Sequence, residues 1–300
     1  MKTIINEENN NERVDVFVAQ VEQDLSRAEI QRLIKSGDIL VNGEKTKASY
    51  RLLANDRVSI NPIEPEVLEI IPKPYPIEVI YEDDDVIVIN KPQGIVVYPG
   101  AGKEGDSVVS ALLFNKVKLF EAADPMRPGI VHRLDKDTSG LMVLSKSEVA
   151  HEKLMLAFKE REVVRKYVAL VDGVMQHNFG TIDAPVGRDD LNRTRMKVIN
   201  DGRSAKTFFT VLARGQHSTL VEAELYTGRT HQIRVHMQYI KHSIIGDPIY
   251  RKKTQIKADQ LMLQSYKVEF MHPTRNIEMK FELPIRADFK EVMERDHYEK

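Results

Sequence analysis

Residues 61–76, NPIEPEVLEIIPKPYP, hold five prolines. Proline lacks a backbone N–H and fixes φ, so neither a helix interior nor a central strand can pass through such a stretch. The 300-residue chain is thereby divided into a short piece over 13–60, a linker over 61–76 and a long piece over 77–290. Each piece must then carry its own hydrophobic pattern.

The short piece does. After a polar tail, Val14, Phe17, Val18 and Val21 recur at helical spacing. Ser26-Arg27-Ala28-Glu29 has the form of a capping box opening a second helix, and Gly37 is placed to end it. Asp38–Val41 reads as a strand, Asn42-Gly43 as a tight turn and Arg57–Ile60 as a further strand. This helix-helix-strand unit, decorated by Arg13, Arg27, Arg32, Lys35, Lys45 and Lys47, resembles the RNA-binding module first described in small-subunit ribosomal protein S-four. The resemblance makes Arg27 and Arg32 RNA-binding candidates. One departure is Asn55 before Asp56, where that family usually has Gly; Asn tolerates the same left-handed backbone region.

In the long piece, Ile77–Tyr81 and Val86–Asn90 read as strands joined through an acidic turn, Ser107–Asn115 as a short helix and Glu148–Arg161 as a stronger one. Tyr167–Val171 and Ser218–Leu225 read as strands. Mixed spacing of this kind favours an α+β domain over a regular βαβ repeat.

Composition removes several function classes. The absence of cysteine excludes disulfides, thiolate nucleophiles and zinc deaminases with cysteine ligands. No apolar run reaches the length of a membrane span, and the start MKTIINEENNNER is too acidic and polar for a secretory signal, so a soluble cytoplasmic protein is expected. A net charge of -1 does not advertise a nucleic-acid binder. Basic residues nevertheless predominate from Arg188 to Lys206 and at Arg251-Lys252-Lys253, while acids gather at Glu82–Asp85 and Glu64–Glu69. A basic face can coexist with that average.

Two stretches carry candidate chemistry. In GIVHRLDKDTSGLMVLSK (129–146), the apolar runs Gly129-Ile130-Val131 and Leu141–Leu144 read as two buried strands joined by a polar turn. Asp137 suits the turn, because an Asp side chain bonds the backbone two residues on and Gly140 supplies a permissive backbone. Asp135 lies between Arg133 and Lys136, whose charges favour its ionised form. Taken alone, an Asp beside an Arg is more often structural than catalytic. The second stretch is TGRTHQIRVHM (227–237): a turn at Gly228, then a helix with Thr230 as its N-cap. Ile233, Met237 and Ile240 would face the core, and His231, Arg234 and Gln238 another side. Arg229 sits at the turn, near a helix N-terminus that favours phosphate. The alternative is a purely structural Arg234 with surface histidines.

HRLDKDTSGLMVLSK, RKYVALVDG (165–173), TGRTHQIRVHM and GDPIY (246–250) occur in the order seen in the RluA-type pseudouridine synthases. With the N-terminal module and VYPGAG (97–102), the chain looks most like the RluD branch over nearly its whole length. That resemblance implies a mixed, mainly antiparallel synthase sheet over 77–290, with Asp135 as the catalytic nucleophile and Arg234 as its partner. It implies Tyr167 packed against a flipped base, Arg133 entering the RNA helix as the uridine leaves, and Asp137 as a turn residue. Arg229, Arg188 and Arg195 are further RNA-binding candidates. Tyr98 stands where RluD-like proteins usually have His. Pseudouridine formation gains and loses no atom, so neither a cofactor nor a metal is expected. The expected partner is large-subunit ribosomal RNA or the assembling subunit, bound by a monomer without membrane contact. Flipping costs a few kcal/mol and stacking on an aromatic returns about 1–3, which favours unpaired uridines.

Other rRNA or tRNA uridines remain an alternative target. A non-catalytic RNA-binding or ribosome-assembly protein is the rival class, but binding alone needs no Asp135, Tyr167 and Arg234 set. A glycosidase would require a second carboxylate, with Asp137 the nearby candidate.

Overall fold

The computed structural model describes residues 2–6, 11–22, 25, 27–61, 70–99, 106–192, 194–250 and 256–298. The chain divides into two compact units, Met1–Val67 and Leu68–Lys300, and the division falls in the proline-rich stretch of the sequence.

In the first unit, α1 (Val14–Val21) and α2 (Arg27–Ser36) turn Val14, Val18, Ile30, Leu33 and Ile34 onto Ile39, Val41, Leu52, Val58 and Ile60. Burial of each such side chain contributes about 1.5–3 kcal/mol. β1 (Lys2–Ile5) and β2 (Ile39–Val41) flank β3 (Arg57–Ile60), both antiparallel. β1 lies in what reads in sequence as a polar tail, because of its four side chains only Ile4 packs on the core. The capping-box Ser26 lies outside the described residues. Asn55 has the anticipated left-handed backbone (φ 70°), and buried Asp56 accepts from the Leu53 N–H (2.8 Å), Asn42 Nδ2 (2.7 Å) and Tyr50 Oη (3.1 Å).

The second unit is built on a sheet that has nine strands among the described residues. In chain order they are β4 (Glu78–Glu82), β5 (Val86–Lys91), β6 (Ser139–Ser145), β7 (Val164–Asp172), β8 (Phe179–Asp183), then β11 (Lys206–Arg214), β12 (Ser218–Leu225), β13 (Leu263–Met271) and β14 (Glu278–Glu282). β9 (Val186–Arg188) and β10 (Met196–Val198) form a separate ribbon. The spatial order is β4-β5-β6-β13-β7-β12-β11-β8, with β14 against β13. Only the β6–β13 pairing is parallel among the described strands, so the sheet is mixed and mainly antiparallel. Gly140 permits that pairing: its φ is +111°, and a Cβ there would collide with the Ser265 carbonyl. The helices are α3 (Val108–Phe114), α4 (Glu148–Glu160), α5 (Gln232–Tyr239) and α6 (Ala287–Arg295). Ser107 and Ser110 cap α3 reciprocally, and Ser147 caps α4.

Three expectations need correction. Residues 70–76 are not free linker: Ile70 and Tyr75 pack on the main core, and the Lys73 N–H donates to the Ser110 carbonyl (3.2 Å). An extended proline-rich segment can still bury its side chains. Residues 62–69, with the acids from Glu64 to Glu69, lie outside the described residues. Gly129-Ile130-Val131 is no strand; it contributes one bridge, Ile130 to Leu144, because Gly129 (φ 67°) bends the chain. Helix α5 begins at Gln232 rather than at a Thr230 cap, and its N-cap is His231 in the left-handed region (φ 56°).

Candidate active site

The loop carrying Asp135 leaves no secondary structure to hold it, so side chains do. Lys91, fully buried at the end of β5, donates to the carbonyls of Pro92 (2.9 Å), Ile95 (3.0 Å) and Lys136 (3.1 Å). Burial pushes its ammonium down to about 8, opposed by the charges of Asp135 and Asp137. Gln93 Nε2 ties the Asp137 carbonyl to that of Leu261, at 2.7 Å each. His132 stacks on Phe158 with ring centroids 4.7 Å apart, and its Nε2 accepts the Val143 N–H (2.9 Å). Burial, then the charge of Arg165, pushes this imidazole down to about 3; it is a neutral acceptor.

On the facing side, the turn before α5 is clamped by one side chain. Gln232 Oε1 accepts from Thr227 Oγ1 (2.7 Å) and the Arg229 N–H (2.9 Å), while its Nε2 donates to the Lys206 carbonyl (3.0 Å) and Thr207 Oγ1 (2.9 Å). This clamp is what delivers the chain into α5 through a left-handed His231.

The two segments meet at Asp135, whose Oδ2 accepts from Arg234 Nη1 at 3.2 Å. Arg234 is 1% exposed and is held from behind by Asp247, with Nε to Oδ2 and Nη2 to Oδ1 both at 2.8 Å. Asp247 is itself fully buried, and its Oδ1 also accepts from the Ile249 and Tyr250 N–H groups (2.8 and 2.9 Å). Burial disfavours both charges, yet the paired hydrogen bonds outweigh it: Asp247 falls below the usual carboxylate range and Arg234 rises. His231 Nε2 lies 3.8 Å from the same Asp135 oxygen, and its Nδ1 bonds Tyr250 Oη (2.8 Å). Burial lowers its pKa, with Asp135 opposing, which leaves it neutral at pH 7. Among the described residues, no group of three or more His, Asp or Glu side chains is arranged as metal ligands would be.

Asp135 opens onto a cavity of about 500 Å³. Tyr167, Phe158 and Leu263 give it apolar walls, and Arg133, Lys159, Arg161, Arg165, Arg229 and Arg234 surround it with positive charge. Asp135 is the one carboxylate among its described lining residues; Asp137 does not line it. Tyr167 is 5% exposed, and burial raises its phenol pKa.

The other sequence candidates separate. Arg133 is exposed and donates through Nη1 to Tyr98 Oη (3.2 Å), and Arg127 lies 4.6 Å over the same ring. Arg229 lies on the cavity rim, its Nε donating to the Ser204 carbonyl (3.0 Å). Arg188 (exposed, on β9) and Arg195 do not line the cavity; Arg195 lies 5.4 Å over the Tyr250 ring. Arg27 pairs with buried Asp15 at 3.4 Å, beside Arg13 at 2.9 Å, yet stays exposed, as does Arg32. The basic run Arg251–Lys253 and the Gly100–Gly102 part of VYPGAG lie outside the described residues.

A family profile described as RNA pseudouridylate synthase matches residues 85–239, and one described as the S4 domain matches residues 12–58. The chain belongs to the RNA pseudouridine synthase family. It is therefore an isomerase that converts uridine to pseudouridine in RNA, and it carries an S4 RNA-binding domain. The synthase is 44% identical over 288 residues to the uncharacterized RNA pseudouridine synthase YlyB of Bacillus subtilis, covering 96% of this chain and 95% of that one. It is 37% identical over 297 residues to ribosomal large subunit pseudouridine synthase D of Escherichia coli, covering 94% and 90%. The structure of human RNA pseudouridylate synthase domain containing 1 shares the fold, with a TM-score of 0.58 at 23% identity over 74% of this chain and 86% of that one.

Among the residues of the synthase site without a role assigned from sequence are Lys91, Arg165, His231 and Asp247. Asp247 did carry a signal, since it lies in GDPIY, and so did Lys91, a lone charge ending the apolar strand VIVINK. His231 and Arg165 lie inside quoted motifs, where the neighbours drew the attention.

Proposed function

We propose that the synthase modifies uridines of large-subunit ribosomal RNA in the cytoplasm, with Asp135 as nucleophile. The observation that carries the catalytic part is geometric. Asp135 is the one carboxylate among the described residues lining the cavity, and a buried, doubly anchored Arg234 aims it at 3.2 Å. A carboxylate so positioned is suited to covalent attack. Over the whole reaction, N1–C1′ breaks, C5–C1′ forms, C5 loses its proton and N1 gains one, so atoms and electrons balance without a co-reactant. Tyr167, a neutral phenol beside Asp135, supplies the face against which the extruded base packs. Arg133, reaching out to Tyr98, is the residue that fills the vacated place in the RNA helix. The ribosomal target is supported by the similarity to ribosomal large subunit pseudouridine synthase D of Escherichia coli.

The test is a pseudouridine map of total RNA from a strain lacking the gene. Missing sites should lie in large-subunit rRNA and return with wild-type protein or Asp137→Asn, but not with Asp135→Asn. An unchanged map, or sites restored by Asp135→Asn, would overturn the proposal.

A further inference from the structure

Arg165 is the unexplained charge of the cavity. It sits on β7 two residues before Tyr167, is 8% exposed and lines the same cavity. Its Nε is buried without a hydrogen-bond partner among the described residues, and the contact from Nη2 to the Leu225 carbonyl is a long 3.5 Å. The guanidinium lies 5.3 Å over the Phe158 ring. It makes no ion pair among the described residues, in contrast to Arg234, which is also buried but holds two carboxylates. Burial pushes its pKa down, and the charge of an ionised Tyr167 would be what opposes this.

A buried cation without a counter-ion is costly unless something else supplies the charge. Three segments converge to hold this one: α4 through Phe158, the end of β12 through Leu225, and the turn at Gly228. A Cβ at Gly228 would stand 3.0 Å from Arg165 Nη1. The smallness of that glycine therefore keeps the room into which the guanidinium extends.

We propose that Arg165 binds a backbone phosphate adjacent to the target uridine when that nucleotide enters the cavity. This rests on the synthase reading above and deepens it. A phosphodiester brings the missing negative charge, and two of its oxygens match the planar fork of an arginine. Arg133, Lys159, Arg161 and Arg229 share the cavity lining with it, against the single carboxylate of Asp135 among the described lining residues, so an entering backbone meets a net positive surface. A uracil carbonyl would satisfy the N–H groups but leave the charge unpaired, which is why the phosphate is favoured.

The experiment uses the full-length protein and a short rRNA stem-loop whose uridine the wild type converts. The phosphates on either side of that uridine are replaced singly by neutral methylphosphonates, and in other RNAs the uridine is replaced by 2-thiouridine or 4-thiouridine. Dissociation constants and single-turnover rates are measured for wild type, Arg165→Gln, Arg165→Lys and Gly228→Ala. One methylphosphonate should weaken wild-type binding roughly tenfold. Arg165→Gln should weaken binding of the unmodified RNA by a similar factor and lose sensitivity to that methylphosphonate, with the salt slope reduced by about 0.7. Gly228→Ala, which crowds the guanidinium without removing it, should lower the same sensitivity in part. If Arg165→Gln does not fold, two arms decide: Arg165→Lys, which keeps the charge without the fork, should retain only part of the sensitivity to that methylphosphonate, and Gly228→Ala should lower it; full wild-type sensitivity in both would overturn the assignment. Additive losses at both phosphates, or coupling to thiouridine in place of methylphosphonate, would overturn the assignment. Failure of the wild type to convert any rRNA stem-loop would instead remove the proposed function.

Discussion

Asp247→Asn tests how much of the site depends on a residue that does not line the cavity. The substitution keeps the size of the side chain and leaves one oxygen for the Ile249 and Tyr250 N–H groups. It removes the charge and turns an amide N–H₂ toward Arg234, so one of two 2.8 Å bonds becomes a donor facing a donor. Breaking a buried pair from one side costs about 3–5 kcal/mol. Because one acceptor survives, the lower end applies, and about 3 kcal/mol in a unit of this size lowers Tm by roughly 6–12 °C. The pH dependence has a defined sign. The folded pKa of Asp247 lies below its ordinary 3.8, so its stabilisation is present above that value and is lost as pH falls through the folded pKa. The deficit of the variant should therefore be full at pH 7 and shrink only in acid below about 4. Arg234, left with Asp135 as its remaining carboxylate, should draw that group out of line and depress the single-turnover rate at saturating RNA. The assays are thermal unfolding against pH and single-turnover tritium release. A Tm within about 2 °C of wild type together with an unchanged rate would refute the claim that Asp247 fixes Arg234.

Arg229 and Arg234 should fail differently: Arg229→Ala should reduce the salt slope of RNA binding by roughly 0.7 and recover its rate at high RNA, whereas Arg234→Ala should stay slow at saturation. Lys at position 234 should rescue poorly, since it lacks the fork that spans Asp135 and Asp247; identical defects would sink this distinction. Residues 68–300 alone should unfold cooperatively and lose affinity more than single-turnover rate, and a large rate loss would count against an S4 domain that serves only to bind. Lys91 has a folded pKa of about 8 against an ordinary 10.5, so between those values the unfolded state binds more protons and stability rises with pH. Denaturant unfolding from pH 7.5 to 10 should show that rise, up to about 3 kcal/mol, and Lys91→Met should flatten it.

What could be read in advance followed from local chemistry. Ser107 and Ser147 announce the starts of α3 and α4 because a capping hydroxyl acts within three residues. Asp135 and Arg234 were legible through their motifs, although 99 positions separate them and no periodicity could bring them together. Strands β8, β11, β13 and β14 are not legible in the sequence. In β11 the residue types hide the period of two, since Phe208 and Leu212 are exposed while Thr207 is buried, and β8 turns one of five inward. β13 is interrupted by a register shift between Ser265 and Lys267, which breaks the alternation a reader looks for. Thr230 reads as the better helix cap than His231 on residue type alone. The structure prefers His231 because Gln232 fixes the preceding turn through four hydrogen bonds, a tertiary clamp that local propensity does not contain.

The net charge of -1 and the positive cavity are reconciled by where the acids are used. The acidic turn between β4 and β5 would repel RNA if its carboxylates faced solvent, but most are engaged within the fold. Glu82 pairs with Lys146 at 2.6 Å, Asp83 with His272 Nε2 at 2.8 Å, and Asp85 accepts from Ser147 Oγ (2.6 Å) and Thr274 Oγ1 (2.5 Å). This turn thus fastens the N-terminus of α4 to the end of β13. Asp15 and Asp247 are likewise buried against arginines. Carboxylates so paired cancel cations locally and contribute little field beyond a Debye length of about 8–10 Å. With Arg234 engaged by Asp135 and Asp247, five basic side chains around the cavity, Arg133, Lys159, Arg161, Arg165 and Arg229, are left to set the potential that an approaching phosphodiester meets. Average charge therefore says little about RNA affinity here. Neutralising an acid of the β4–β5 turn should disturb stability, whereas neutralising a cation of the cavity should disturb the salt dependence of binding.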